Sequence, residues 1–331
     1  MLLAALTLVA TLVRLGLPLL WVRTELPDLR FRRSFVTRKR VGELLSVSWQ
    51  NFLLHVAAKV VFSADLIIVG MVLGAASAAL YALPAKLFAL AFGLAAAGTN
   101  LLYPAFAELE GADDHERQRA LLRSGLRSGV ALTLVLALPL LLVPDQLLRA
   151  WVGPGYDESA PVLAILGAVL LVHQPVSLLA QFLIARGRQQ RLALVLLAAV
   201  MVNIVLSVVL ASAVGIWGVA LSTLVTDAIA LAYIAPVLAA PAAGLSTRAL
   251  LADLFGPALP ALAAAGVVLV GVGRAYDVET LPGLIPLGLL WAAVAGLVLW
   301  RYGLSKEDRS AVARMAGKSS PPLATQLPEE V

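Results

Sequence analysis

The sequence predicts an all-α polytopic membrane protein with about nine transmembrane helices, and three observations carry that prediction. First, the 331 residues are 61% hydrophobic and only 14% charged, with a mean hydropathy of +0.93. Soluble chains run at about 45–50% apolar and about 25% charged, so a soluble fold of this length could not hide the excess. Second, the apolar residues fall into long runs with few charges, and about 20 such residues cross a bilayer. Third, basic residues gather in alternate connections between those runs, as the positive-inside bias requires.

The spans lie at about 1–22, 43–73, 77–107, 128–144, 160–185, 191–213, 216–240, 254–273 and 281–300. The first has no basic leader and stays apolar to Val22, so it is no conventional secretory signal. Spans two and three exceed the length needed to cross, which predicts tilt or extension past the hydrocarbon. Before span four, "AELEGADDHERQRALLRSGLRSG" reads as an amphipathic cytoplasmic helix capped by Asp113 or Asp114. Its basic face suits anionic headgroups, with a plain connector as the default reading. Span five contains "LVHQPVSLLAQF", where Pro175 predicts a kink whose freed carbonyls are met by His173, Gln174 and Gln181. In span seven, Asp227 follows Ser222, Thr223 and Thr226 near mid-membrane. It reads equally as an ion-coupling site or as a partner of those hydroxyls. The tail after span nine ends in "GKSSPPLATQLPEEV", a disordered composition.

Orientation follows from charge. With the linker 23–42 inside, 20 of the 25 lysines and arginines fall in inside segments. Arg149 and Arg274 alone lie outside, and Arg14, Lys59 and Lys86 lie within spans. The C-terminus is then cytoplasmic and Met1 stands outside, directly at a span. A missing odd number of upstream spans is the expected reason for that start, with a genuine N-out first helix as the alternative.

Several function classes are excluded. There is no cysteine, which removes disulfides, thiolate metal sites and cysteine nucleophiles. His55, His115 and His173 are far apart and form no HExxH pair, which argues against a zinc site. No Walker A sequence and no stretch long enough for a soluble domain are present, and no cofactor is expected. The pI near 9.7 comes from loop charges that set orientation, so nucleic acid is not an expected partner. A membrane glycosyltransferase or polymerase would carry a sizeable outer loop; the segment 145–159 is short and offers only Asp157 and Glu158.

The candidate site residues sit on spans two and three. In "WQNFLLHVAAKVVFSAD", Asn51, His55, Lys59 and Asp65 fall within one sector about 120° wide at helical spacing. A polar stripe on a membrane helix faces other helices or a water-filled cavity. Snorkelling at the outer end of the span is a competing reading for Asp65. Lys86 follows Pro84 in the next span, with Asn100 deeper along it. Two buried cations repel each other and are costly to desolvate, and an anionic ligand relieves both costs. Arg14 in span one adds a third cation, or pairs with an upstream segment.

Three signatures carry a family resemblance: "SADLIIVGMVLGAASAALYALPAKLFAL", "AWVGPGYDESAPVLAILGAVLL" followed by "FLIARGRQQ", and "VNIVLSVVLASAVGIWGVALST". Their order and spacing over about 43–240 resemble the polysaccharide-exporter branch of the multidrug/oligosaccharidyl-lipid/polysaccharide (MOP) flippase superfamily, which includes O-antigen and exopolysaccharide flippases. The resemblance implies two six-helix lobes around a central cavity, often with two extra C-terminal helices. On that template 1–22 is the last helix of an incomplete first lobe and 23–42 a basic cytoplasmic linker. Residues 43–240 are then the complete second lobe, 254–300 the extra pair, and 301–331 the tail. It further implies a non-enzymatic flippase of the bacterial plasma membrane, working by alternating access on a polyprenyl-pyrophosphate-linked oligosaccharide. Lys59 and Lys86 would meet the anionic headgroup, and a polysaccharide polymerase and export machinery would be partners. The competing readings are a cation-coupled drug or metabolite antiporter using Asp65 or Asp227, a membrane-embedded glycosyltransferase or polymerase, and a non-transporting scaffold or fragment.

Overall fold

The computed structural model describes residues 64–254 and 281–298 continuously, with 7–8, 11–14, 16, 37–38, 41–42, 45, 48–49, 52, 266–267, 270–271 and 300. The chain divides into two units, Met1–Trp49 and Gln50–Val331. All regular structure among the described residues is helical. In the first unit, Thr11 Oγ1 donates to the Thr7 carbonyl one turn earlier (2.7 Å).

The second unit contains α1 (Ala64–Leu73), α2 (Ala75–Asn100), α3 (Leu102–Gly111), α4 (His115–Leu142), α5 (Pro144–Val152), α6 (Ser159–Ala185), α7 (Gln189–Val214), α8 (Ile216–Tyr233), α9 (Thr247–Leu254) and α10 (Leu281–Val298). Beyond Tyr233, α8 runs through a π-helical stretch, Ile234–Ala239, into Ala240–Ala243. That stretch contains Pro236, which has no N–H for the α-helical ladder, and a wider turn accommodates the gap. Five helices among the described residues are long and apolar enough to cross a membrane: Ala75–Gly111, His115–Leu142, Ser159–Ala185, Gln189–Val214 and Ile216–Ala243.

These agree with spans three, five, six and seven to within a few residues. Span four differs. The predicted cytoplasmic helix does not stand apart from it: residues 108–111 end α3, and everything from His115 onward belongs to the 28-residue α4. The side chain of Asp114 caps α4 by accepting from the Arg117 N–H (3.1 Å). The arginines of its first half depress the hydropathy without breaking the helix, because they have partners described below. The segment 145–159 also contains a short helix, α5, entered through Pro144, whose fixed φ suits a first helical turn.

Central α6 packs on α2, α4 and α8, and it is the most buried of the five long helices. One end of the unit is filled by Phe106, Leu122, Leu126, Phe182, Leu183 and Ile234, with the Phe106 and Phe182 rings meeting edge to face at 5.7 Å. The other end is filled by Ile68, Tyr81, Phe88, Leu163, Leu170 and Val219. A third cluster joins α10 to α4, where Trp291 Nε1 donates to the Val135 carbonyl (2.8 Å).

The outside of the unit is apolar. On α7 the buried face carries Asn203 and Ser207, whereas Leu194, Met201, Val202, Val205 and Val209 are exposed. This reverses the pattern of a soluble helix and matches a helix immersed in lipid, where packing and interhelical polar contacts hold the bundle. The α7–α8 hairpin is correspondingly tight. Gly215 takes a left-handed φ of 81°, and a Cβ at Gly218 would collide with the backbone carbonyl of Leu210. Backbone cannot yield as a side chain end can. Gly218→Val is therefore expected to destabilise the unit by about 3 kcal/mol, read as a lowered thermal midpoint of the purified chain. A midpoint equal to the parent's would show that the hairpin opens freely.

Candidate functional site

Asp65 stands one residue into α1 and is 2% exposed, so snorkelling is excluded and the carboxylate lies in a helix seam. Tyr81 of α2 donates its hydroxyl to Oδ2 (3.0 Å), and Thr223 of α8 donates to the same oxygen (3.3 Å). Thr223 in turn accepts from Asn203 Nδ2 of α7 (3.2 Å). The same amide reaches Ser222 Oγ (3.4 Å), which lies 2.5 Å from Ser207 Oγ. Four helices thus meet through one polar network. Two of its buried acceptors, Asp65 Oδ1 and Asn203 Oδ1, meet no donor among the described residues. Leaving such atoms unmatched in an apolar surround is costly. A proton on the carboxylate or a hard cation, which prefers oxygen ligands, would relieve that cost.

A second polar contact lies one helical turn along α8. Asp227 Oδ2 is 2.8 Å from His173 Nδ1 on α6, with the two side chains 13% and 17% exposed. The Phe92 ring of α2 stands 5.3 Å from the imidazole. The hydroxyls beside Asp227 do not hold it: Thr226 donates to the Ser222 carbonyl and Thr223 to Asp65. His173 likewise reaches across to α8, and both amide atoms of buried Gln174 lack a partner among the described residues. That differs from the proline-kink reading of this segment. The contact ties α6 to α8 through an imidazole and a carboxylate. Nearer the basic end, Gln181 donates to Asn100 Oδ1 (3.1 Å).

Lys86 is exposed. The packed face of α2 carries Tyr81, Pro84, Phe88, Ala91, Ala95 and Thr99, and Lys86 lies about 180° from its middle. Lys86 therefore projects from the open face of α2 and takes no part in the Asp65 network. In the first unit Arg14 is exposed. Asn51, His55 and Lys59 lie outside the described residues.

The basic end holds contacts that sequence reading does not anticipate. Arg123 Nε (2.6 Å to Oδ2) and Arg127 Nη2 (2.5 Å to Oδ1) of α4 both donate to Asp253 of α9, which is 3% exposed. The arginines recur every fourth residue, Arg119, Arg123 and Arg127, and so share one helix face. That spacing was the available signal.

With four helices converging on Asp65 and three on His173, the arrangement can be set beside known proteins. No protein-family model matches the sequence. Among solved structures, the chain superposes on lipid II flippase MurJ, in an inward closed conformation, with a TM-score of 0.59 at 14% identity. The chain shares the MurJ fold. The superposition covers 85% of this chain and 59% of MurJ. Among curated proteins, the chain is 24% identical over 304 residues to EpsK, an uncharacterized membrane protein of Bacillus subtilis (strain 168). That match covers 90% of this chain and 58% of EpsK. The chain thus spans somewhat under three-fifths of the length of either protein. Its fold neighbour is a transporter and its sequence relative a membrane protein.

Proposed function

We propose that the chain supplies the second lobe and flanking helices of a flippase that turns a polyprenyl-pyrophosphate-linked oligosaccharide across the bacterial plasma membrane for cell-surface polysaccharide synthesis. The observation that supports this most is the fold shared with MurJ, a protein whose name gives a lipid as its cargo. The chemistry is compatible. Lys86 is exposed on an open face of α2, from which a cation can meet an anionic partner such as a pyrophosphate. Lys59 on the preceding polar stripe supplies the second charge, with Asn51 and His55 for sugar hydroxyls and Arg14 as a further cation. A polysaccharide polymerase and export machinery would act on the turned-over product. No covalent step is required of the protein. The charge bias supports a cytoplasmic C-terminus.

The Asp65 network and the His173–Asp227 pair favour coupling of this movement to a proton or a monovalent cation. They would serve equally in a drug or metabolite antiporter, and the cargo decides between the two. Lys59→Gln with Lys86→Gln, in a two-lobe version of the protein, is expected to lower export about tenfold or more. Lipid-linked oligosaccharide should accumulate as surface polysaccharide falls. Unchanged export would remove both lysines from the substrate path, and drug sensitivity without such accumulation would favour the antiporter.

A further inference from the structure

At the basic end of the second unit, a cavity of about 200 Å³ opens between the start of α4, the end of α6 and the 241–244 turn. Its polar lining is cationic. Arg119 is anchored by Nε, which donates to the Ala243 carbonyl (2.7 Å). Its two Nη groups make no hydrogen bond among the described residues. Arg186, 17% exposed, is anchored through Nη1 alone. That nitrogen is shared by Glu110 Oε2 (3.1 Å), His115 Nδ1 (2.8 Å) and Gln118 Oε1 (3.3 Å). Its Nε and Nη2 likewise have no acceptor among the described residues. Both guanidinium groups are therefore held at one corner, with the remaining N–H donors free beside the cavity.

The neighbouring acids neutralise Arg186 but not Arg119. Glu110 is engaged by Arg186, and Asp253 is shared by Arg123 and Arg127. Asp113 meets the far side of His115, at Nε2 (3.1 Å), and is almost fully exposed. Among the described residues Arg119 has no carboxylate partner. Close packing at the turn holds Arg119 in place: Gly244 has a φ of 62°, and a Cβ there would stand 2.9 Å from Arg119 Nη2. Anchored, planar guanidinium groups with free donors are suited to phosphoryl oxygens, which accept paired N–H bonds. The cavity is smaller than the roughly 300–1,000 Å³ that drug-sized ligands occupy, so it takes a phosphoryl group and a short substituent, not a nucleotide.

We infer that this cavity binds a phosphate ester at the end of the bundle which the charge bias places in the cytoplasm, independently of any transported cargo. The ester is either the headgroup of an anionic phospholipid or a free phosphate compound.

The purified full chain would be delipidated in neutral detergent and titrated in separate arms with phosphatidylglycerol, phosphatidylcholine and inorganic phosphate. Bound lipid would be counted by native mass spectrometry and stability followed by thermal melting. Arg119→Gln is expected to weaken the stabilising ligand about tenfold or more. Gly244→Ala should do the same by displacing Arg119. Arg191→Gln, at the same end but outside the cavity, should change nothing. A response to phosphatidylglycerol that needs Arg119 assigns the site to lipid, and one to inorganic phosphate that needs Arg119 assigns it to a soluble ester. No Arg119-dependent response in any arm overturns the inference. So does an equal loss in Arg191→Gln, which would mean diffuse attraction to a basic surface.

Discussion

Asp65→Asn, in a two-lobe version of the protein, is expected to fold as the parent does and to lose transport by roughly 5–150-fold, the range of ordinary coupling free energies. Asparagine keeps an oxygen to accept from Tyr81 and Thr223, so the seam between α1, α2 and α8 can close as before. What it removes is the charge, and with it the capacity of Oδ1 to take up a proton or bind a cation strongly. The thermal midpoint should stay within about 4 °C of the parent, equivalent to about 1 kcal/mol for a unit of this size. Tyr81→Phe provides the contrast: it keeps the charge and deletes a donor, and should lower stability by about 1–3 kcal/mol. If Asp65→Asn transports normally, Asp65 is a structural hydrogen-bond acceptor and coupling must be sought at His173 and Asp227.

The second large effect is expected at Asp253. Replacing it by alanine leaves Arg123 and Arg127 facing each other beside a gap with no carboxylate between them. Breaking a buried ion pair from one side costs about 3–5 kcal/mol. Both arginines are partly solvated, which reduces this to about 2 kcal/mol. The loss should appear in the thermal midpoint and as faster proteolysis at the 244–254 connection. Removing all three charges together, as Arg123→Met, Arg127→Met and Asp253→Leu, should recover much of the stability. The penalty lies in the unpaired charges more than in the absent attraction. Failure of the triple variant to recover would mean that Asp253 does more than neutralise the arginines.

The helices were legible because apolar run length is a local property, and the spans Ala75–Gly111, Ser159–Ala185, Gln189–Val214 and Ile216–Ala243 begin and end within a few residues of their expected limits. The start of α4 was not, for a physical reason. Hydropathy treats Arg119, Arg123 and Arg127 as solvated, whereas the fold places them on a carbonyl and a carboxylate more than 120 residues away. The same limit applies at the site. Asp65 stood out in an apolar segment, but its burial depends on Thr223, 158 residues along the chain. Asp227 and His173 each stand out singly. The sequence reads His173 against the kink of its own helix and Asp227 equally as an ion-coupling site or a partner of adjacent hydroxyls, because nothing local specifies that α6 and α8 bring them within 2.8 Å. Asn203 had a visible signal, a lone amide in an apolar helix, whose meaning depends on the hairpin that turns Ser222 and Thr223 towards it.

Helix α4 is gripped near one end by α9 through Asp253 and along its length by α10 through Trp291. Any rotation of the second unit therefore carries both segments with it, like a vane fixed to a shaft. In the proposed flippase, the rim that would push lipid aside includes the exposed Ile285, Leu289, Leu290 and Leu297 of α10. If the unit rocks as the proposed flippase requires, the membrane's viscosity would act on α4, α9 and α10 together. The appended helix sets part of the drag against which such a machine would turn.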